Sequence, residues 1–162
     1  MALGSRVTAV IMASVALAYS LSASADADSP KPNAQAAYAA ARIWGYEANT
    51  EATLGLCREM DSANAAAYDR LYHALVTATA PTMARVYGIL TEESIRSGMP
   101  PDAATKRLDP SMPRLVAKQT AESNPSLFIE EQCRLSIGHE AEMGRLLESV
   151  LPDDLKLIEA WN

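Results

Sequence analysis

Hydrophobic and polar positions follow a helical period along most of this chain. Read at about 100° per residue, residues 125–151 sort most cleanly. Phe128, Ile129, Leu135, Met143, Leu146, Leu147 and Val150 share one face, and Glu130, Glu131, Arg134, Arg145, Glu148 and Ser149 share the other. Asn124 suits the cap, since its side chain accepts from the free amides of a first turn. Pro125 suits the first helical position, where no N–H is needed. The pattern predicts one long helix, about 40 Å if unbroken, around which the rest is organised. Gly138 and Gly144 weaken it by roughly 1 kcal/mol each relative to Ala. His139 falls on its apolar face with Gln132 and Met143, and Cys133 lies at that face's edge.

Earlier stretches repeat the theme. Asn33 can cap a helix over residues 34–60 whose inner side is Ala39, Ile43, Tyr46, Thr50, Leu54 and Cys57. Trp44 and Tyr38 fall off that stripe. Residues 61–64 supply a turn and several possible caps. A second helix over 65–79 carries Tyr68, Leu71, Tyr72 and Leu75, with Asp69, Arg70 and His73 outside the stripe. Pro81 begins a third helix in this reading, capped by Thr79 and carrying Met83, Val86, Tyr87 and Leu90. Gly98 stops it, with Pro100 and Pro101 beyond. Residues 99–113 read as an irregular, proline-rich connector with one short turn after Asp102, followed by a helix over 113–123. Pro152 ends the organising helix, and Asp153 and Asp154 start a last short one that brings Leu155, Ile158 and Trp161 to the body.

No alternating strand pattern, hairpin dipeptide or internal repeat interrupts this. The fold class is all-α, a four- to five-helix bundle with mostly antiparallel neighbours. Residues 34–162 form one domain, large enough to bury a core.

The N-terminus changes the picture of where the protein works. Arg6 precedes a mostly apolar run from Val7 to Ala18, too short to span a bilayer, and Ala23-Ser24-Ala25 gives the small-x-small pattern of a signal-peptidase site. Residues 1–25 read as a cleaved signal peptide and 26–33 as a flexible leader. The expected compartment is periplasmic or secreted, with no membrane anchor after cleavage. Two cysteines in an exported chain most simply pair, so Cys57 and Cys133 are expected to form a disulfide.

Charge narrows the partners. Twenty acidic against 14 basic residues give a net charge of −6. Cleavage removes Arg6 and no acidic residue, which deepens the imbalance. An acidic surface argues against nucleic acid and anionic membrane as partners.

Candidate chemistry is sparse. His139 with Met143 one turn on could hold a soft metal such as copper(I), since imidazole and thioether are suitable donors. Two ligands are too few to complete a site, and a core histidine hydrogen-bonded to a neighbouring helix is the simpler reading. Asp69 and His73 have the spacing of an oriented dyad, yet both lie on a polar side and read as a solvated pair. The sequence holds no nucleophile elbow, H-E-x-x-H, P-loop, EF-hand or Glu-x-x-His pattern. No cofactor and no catalytic residue is assigned. Six of the nine aromatics, Tyr38, Trp44, Tyr46, Tyr68, Tyr72 and Tyr87, gather within residues 38–87 and read mainly as core. An Ala-rich bundle of this kind can leave a groove for a partner helix or apolar ligand, and the 99–113 connector offers another docking place. The functional expectation is a non-enzymatic exported protein that binds a protein partner or apolar ligand, as an inhibitor, chaperone or accessory subunit. The alternative is a soft-metal or cofactor bundle centred on His139 and Met143.

Overall fold

A computed structural model describes residues 32–106, 115, 118, 119, 123 and 133–161. The signal peptide, most of the leader, most of the helix expected over 113–123 and the first turns of the organising helix lie outside the described residues; residues 115, 118, 119 and 123 are helical. Among the described residues the chain forms α1 (Pro32–Met60), a 3₁₀ turn (Ser62–Asn64), α2 (Ala65–Arg96), α3 (Pro101–Lys106), α4 (Glu140–Gly144), α5 (Leu146–Val150) and α6 (Pro152–Glu159). No strand occurs among them, and none of their helices is long and apolar enough to cross a membrane. The fold is all-α.

Two long helices make the frame. The stripe of α1 is buried throughout: Ala39, Ile43, Tyr46, Thr50, Leu54 and Cys57 all face inward. Ala36, Ala40, Ala48 and Ala52 are buried beside them, so little bulk separates α1 from its neighbours. From α2 come Tyr68, Leu71, Leu75, Met83, Val86 and Ile89. The two helices run antiparallel. Arg58 pairs with Asp69 at 3.4 Å near the connecting turn, and Glu47 sits beside Thr79 farther along.

Here the chain departs from the expected break at Pro81, because α2 passes through it without ending. The physical reason is phase. Met83, Val86 and Ile89 continue the stripe of Leu71 and Leu75, so one helix buries both halves against α1. The Pro81 ring stands on the exposed side, where the missing hydrogen bond to the Thr77 carbonyl can be replaced by water. Thr79, expected as a cap, is a buried mid-helix residue.

The expected single long helix over 125–151 is also corrected. Cys133 and Arg134 are helical, residues 135–138 form a turn, and α4 and α5 are separated at Arg145. Gly138 takes φ +85, a left-handed conformation that glycine adopts at little cost and that ends helices. The Ser136 hydroxyl donates to the Cys133 carbonyl at 2.7 Å, a local bond that competes with helix continuation. Leu135, assigned to the apolar face, is exposed as a result. Downstream the period resumes: Met143, Leu146, Leu147, Leu151 and Ile158 close the core over α1 and α2. Pro152 occupies the first turn of α6, which packs on α1.

Cys57 and Cys133 form the expected disulfide, with their Cα atoms 5.4 Å apart. It ties the last turn of α1 to the segment that enters the C-terminal helices.

A polar cleft along the seam of α1 and α2

Along one side of the helical pair the side chains do not meet. Glu47, Ala48 and Glu51 of α1 face Tyr72, Val76, Thr79, Ala80, Met83, Ala84 and Tyr87 of α2 across a cleft of about 410 Å³. The cleft exists because of residue size. Ala48, Ala80 and Ala84 bring only a methyl group each to the seam, while Tyr72 and Tyr87 stand at its sides. A second depression of about 430 Å³ shares Glu51 and Tyr72 with it and continues toward the connecting turn past Leu54, Gly55, Arg58 and Asp69.

The floor of the first cleft holds polar groups in an unusual state. Glu47 is only 9 % exposed. Burial pushes its carboxyl above the ordinary range, Glu51 one turn away pushes it further, and the Thr79 hydroxyl pulls weakly the other way. Thr79 is 4 % exposed, and its Oγ1 approaches Glu47 without closing a hydrogen bond of normal geometry. The contrast with α1 is informative. Thr50 and Thr53 satisfy their hydroxyls by donating to carbonyls four residues earlier, at 2.9 and 2.8 Å, whereas Thr79 Oγ1 has no such bond. At the far end, Trp44 Nε1 is buried and approaches the Tyr87 hydroxyl, again without a closed bond. Burial and then the Glu47 and Glu51 charges push the Tyr87 phenol up. Tyr46, next to Glu47 in α1, carries a buried hydroxyl with no partner, and burial pushes its pKa up to about 12. Buried polar groups are normally satisfied, so such a concentration beside one cleft marks it out.

Two other polar clusters are complete and structural. Asp61, 3 % exposed, accepts from Asn64 Nδ2 at 2.8 Å, Tyr68 Oη at 3.0 Å and Arg134 Nε at 3.1 Å. The Asn64 amide first, then Arg134 and Tyr68, hold its carboxyl below the usual range against the opposing effect of burial. Asp154 of α6 pairs with Arg42 of α1 at 3.2 Å. There burial outweighs the guanidinium, and the Asp154 carboxyl is pushed up. Arg85 of α2 donates to the Ile158 and Glu159 carbonyls at 3.3 and 3.0 Å, satisfying the C-terminal end of α6.

The residues singled out by the sequence fall elsewhere. His139 is the N-cap residue of α4 and half-buried, with Nδ1 3.6 Å from Glu142 Oε2. Met143 is buried in the core. Their link is backbone, the Met143 N–H donating to the His139 carbonyl at 2.9 Å. Among the described residues no three His, Cys, Asp or Glu side chains gather as a metal site. Asp69 reaches Arg58, and His73 is exposed with its ring tilted against Tyr72 at 5.8 Å. Of the aromatics, Tyr72 and Tyr87 line the cleft and Trp44 flanks it. Reasoning from the sequence missed Glu47 and Thr79. A signal existed: Glu47 is the acid beside Tyr46 on the buried stripe of α1, and it stands one turn from Glu51.

No protein-family model matches the chain, and no curated protein or solved structure matches it.

Proposed function

We propose that this is an exported, non-enzymatic helical binding protein, and that the α1–α2 cleft holds a small ligand with an apolar body. Export rests on Arg6, the Val7–Ala18 run and Ala23-Ser24-Ala25, together with the Cys57–Cys133 bond, which belongs in an oxidising compartment. The observation that carries the binding reading is the pairing of Glu47 with Thr79. Two helices bury Glu47 and Thr79 at the floor of an apolar-walled cleft, and Thr79 Oγ1 closes no hydrogen bond of normal geometry there. Burying a polar group without a partner is unfavourable, and a ligand that completes the set offsets that cost. A cleft of this volume with few polar groups has the form of a small-molecule site. The non-enzymatic reading follows from the sequence, which contains none of the nucleophile or metal-hydrolase patterns sought in it.

A neutral apolar fluorophore, phenylnaphthylamine, tests this. Saturable, one-site enhancement is expected, weakened at least about tenfold in Ala84→Trp or Ala80→Trp. Both alanines lie on the exposed rim, so a larger side chain there fills the cleft without entering the core. Unsaturable enhancement, or unchanged affinity in both variants, overturns the reading.

A further inference from the structure

The charge of Glu47 depends on water reaching the cleft floor. Its side chain is largely buried in a cleft walled by Val76, Ala80, Met83 and Ala84, across from Thr79 of α2. Ala80 and Ala84 on the rim are exposed, so the cleft opens to solvent. An ionised carboxylate has about four acceptor positions, whereas the protonated acid needs fewer donors and supplies one of its own. Thr79 Oγ1 is the polar neighbour in reach, and it closes no hydrogen bond of normal geometry. The other acceptor positions of an ionised Glu47 are therefore met by solvent that enters the cleft. Burial and the Glu51 charge both push the carboxyl up, and only the Thr79 hydroxyl acts against them. The remaining charged groups around the seam are engaged elsewhere. Glu51 and Tyr72 each make a further interaction. Arg58 pairs with Asp69 at 3.4 Å, and Arg42 pairs with Asp154 at 3.2 Å where α6 packs on α1. Lys118 and Glu59 line the neighbouring depression, and His73 lies against the Tyr72 ring.

We propose that occupancy of the cleft is linked to protonation of Glu47: the cleft takes an uncharged ligand with an apolar body together with one proton, and affinity falls as Glu47 ionises. The inference rests on the cleft being a ligand site, as argued above, and names the charge of the ligand and the control of its binding. An apolar body that fills the cleft displaces the water on which the carboxylate depends. Burying an ionised carboxylate without replacement donors is strongly unfavourable, and protonation removes that penalty. The Glu47 O–H then has an acceptor within the seam in Thr79 Oγ1, and the Thr79 hydroxyl is left to donate to a polar atom of the ligand. The occupied cleft thus favours the neutral acid more than the open cleft does, so binding takes up a proton. Affinity is full below the value at which Glu47 titrates in the free protein. It falls by up to about tenfold per pH unit above that value and levels off once Glu47 is ionised in the complex as well. A cationic ligand would favour the ionised carboxylate and invert this dependence, and an anionic one would add like charge to the floor.

The test titrates phenylnaphthylamine, which stays uncharged, into the full disulfide-bonded protein in steps from about pH 4.5 to about pH 8.5. Affinity is expected to fall at least about tenfold across this range. Glu47→Gln, which has the shape of the neutral acid, should give a profile flat to within about threefold. Calorimetry of the wild type in buffers of different ionisation enthalpy reads the proton directly. Uptake approaching one proton per ligand is expected where affinity falls, and none where it is level. Circular dichroism at each pH verifies that folded protein is compared. Saturable binding with the same affinity at every pH overturns this inference and leaves the cleft reading standing. A pH dependence that survives in Glu47→Gln assigns the proton to another group, such as Glu51 or His73, and overturns it. Affinity that rises with pH overturns it too. Absence of saturable binding at every pH overturns both this inference and the cleft reading. Should Glu47→Gln fail to fold, the wild-type proton uptake decides alone, and no uptake where affinity falls overturns the inference.

Discussion

Arg134 and Asp61 repeat, as an ion pair at 3.1 Å, the connection that Cys133 and Cys57 make as a covalent bond. Arg134 follows Cys133 directly. Asp61 lies one turn past Cys57, and its N–H donates to the Cys57 carbonyl at 2.9 Å. The end of α1, the start of α2 through Asn64 and Tyr68, and the segment entering α4 therefore meet at one buried carboxylate. The covalent and polar links fix the same junction, and their losses should be separable.

Removing the disulfide acts mainly on the unfolded chain. The bond closes a sequence separation of 76 residues, for which loop entropy gives an upper figure of about 4–5 kcal/mol. Reduction, or the paired change Cys57→Ala and Cys133→Ala, should lower the urea midpoint by a substantial part of that. Because Asp61 and Arg134 still hold the junction, the helical content of the reduced protein should be retained in the absence of denaturant. Circular dichroism across a urea series reads both quantities. A midpoint indifferent to confirmed reduction would contradict the expected role of the bond.

Acid should attack the same junction from the polar side. The Asp61 carboxyl titrates below its ordinary value in the folded protein. Its stabilisation is therefore complete above the ordinary Asp range and is lost as pH falls through that range to the lowered value. Asp61→Asn should remove this part of the acid sensitivity and lower stability at neutral pH, leaving the Arg134 guanidinium without its carboxylate. Thermal melts of both proteins between neutral and strongly acidic pH test it. Parallel curves would show that Asp61 does not titrate with folding.

Glu47 should behave in the opposite sense. Its carboxyl is raised in the folded state by burial and by Glu51, so folding favours the protonated form. Stability from this group is greatest below the ordinary Glu range and falls as pH rises through the raised value. Glu47→Gln removes a buried charge in the apo protein and should raise the melting temperature at neutral pH. A lower melting temperature would mean that the carboxylate already has full compensation in the folded protein. Asp154, also raised, contributes with the same sign, so the comparison must be made between wild type and variant at each pH.

Pro81 sits within α2 on its exposed side. A proline in a helix interior lacks one hydrogen bond and crowds the preceding turn, at a cost of about 3 kcal/mol relative to Ala, partly offset because proline also stiffens the unfolded chain. Pro81→Ala should therefore stabilise the protein by roughly 1–2 kcal/mol, read from urea unfolding. Destabilisation would show that the ring has a packing role of its own, beside Thr79 and Ala80 at the cleft.

The parts of the fold legible in the sequence were those set by periodicity over many residues. The inner stripe of α1 was readable because six positions repeat in phase, and the disulfide because two cysteines in a chain read as exported most simply pair. Breaks were less legible. Pro81 carries a strong local stop signal, yet burial of Met83, Val86 and Ile89 in phase with Leu75 outweighs it. Gly138 carries a weaker one, yet it breaks a stretch whose apolar pattern runs on beyond it. Local propensity and tertiary packing compete, and only the packing partner decides. The cleft was least legible of all. It arises from alanines on two helices facing each other, and an absence of bulk at Ala48, Ala80 and Ala84 becomes a cavity only once α1 and α2 are placed side by side. His139 drew attention as a lone imidazole on an apolar face, but the helix is interrupted at Gly138 and the residue sits at the N-cap position of a short helix, its side chain making no capping bond.

The most direct test of the ligand cleft is a native mass spectrum of the protein exported to a bacterial periplasm and purified without denaturation, beside the same spectrum of Ala84→Trp. The account expects cleavage after Ala25, a mass two hydrogens short for the Cys57–Cys133 bond, and a small-molecule adduct on the wild type that is lost from the variant. Adduct-free spectra for both proteins, after uptake of phenylnaphthylamine has also been attempted, would contradict it.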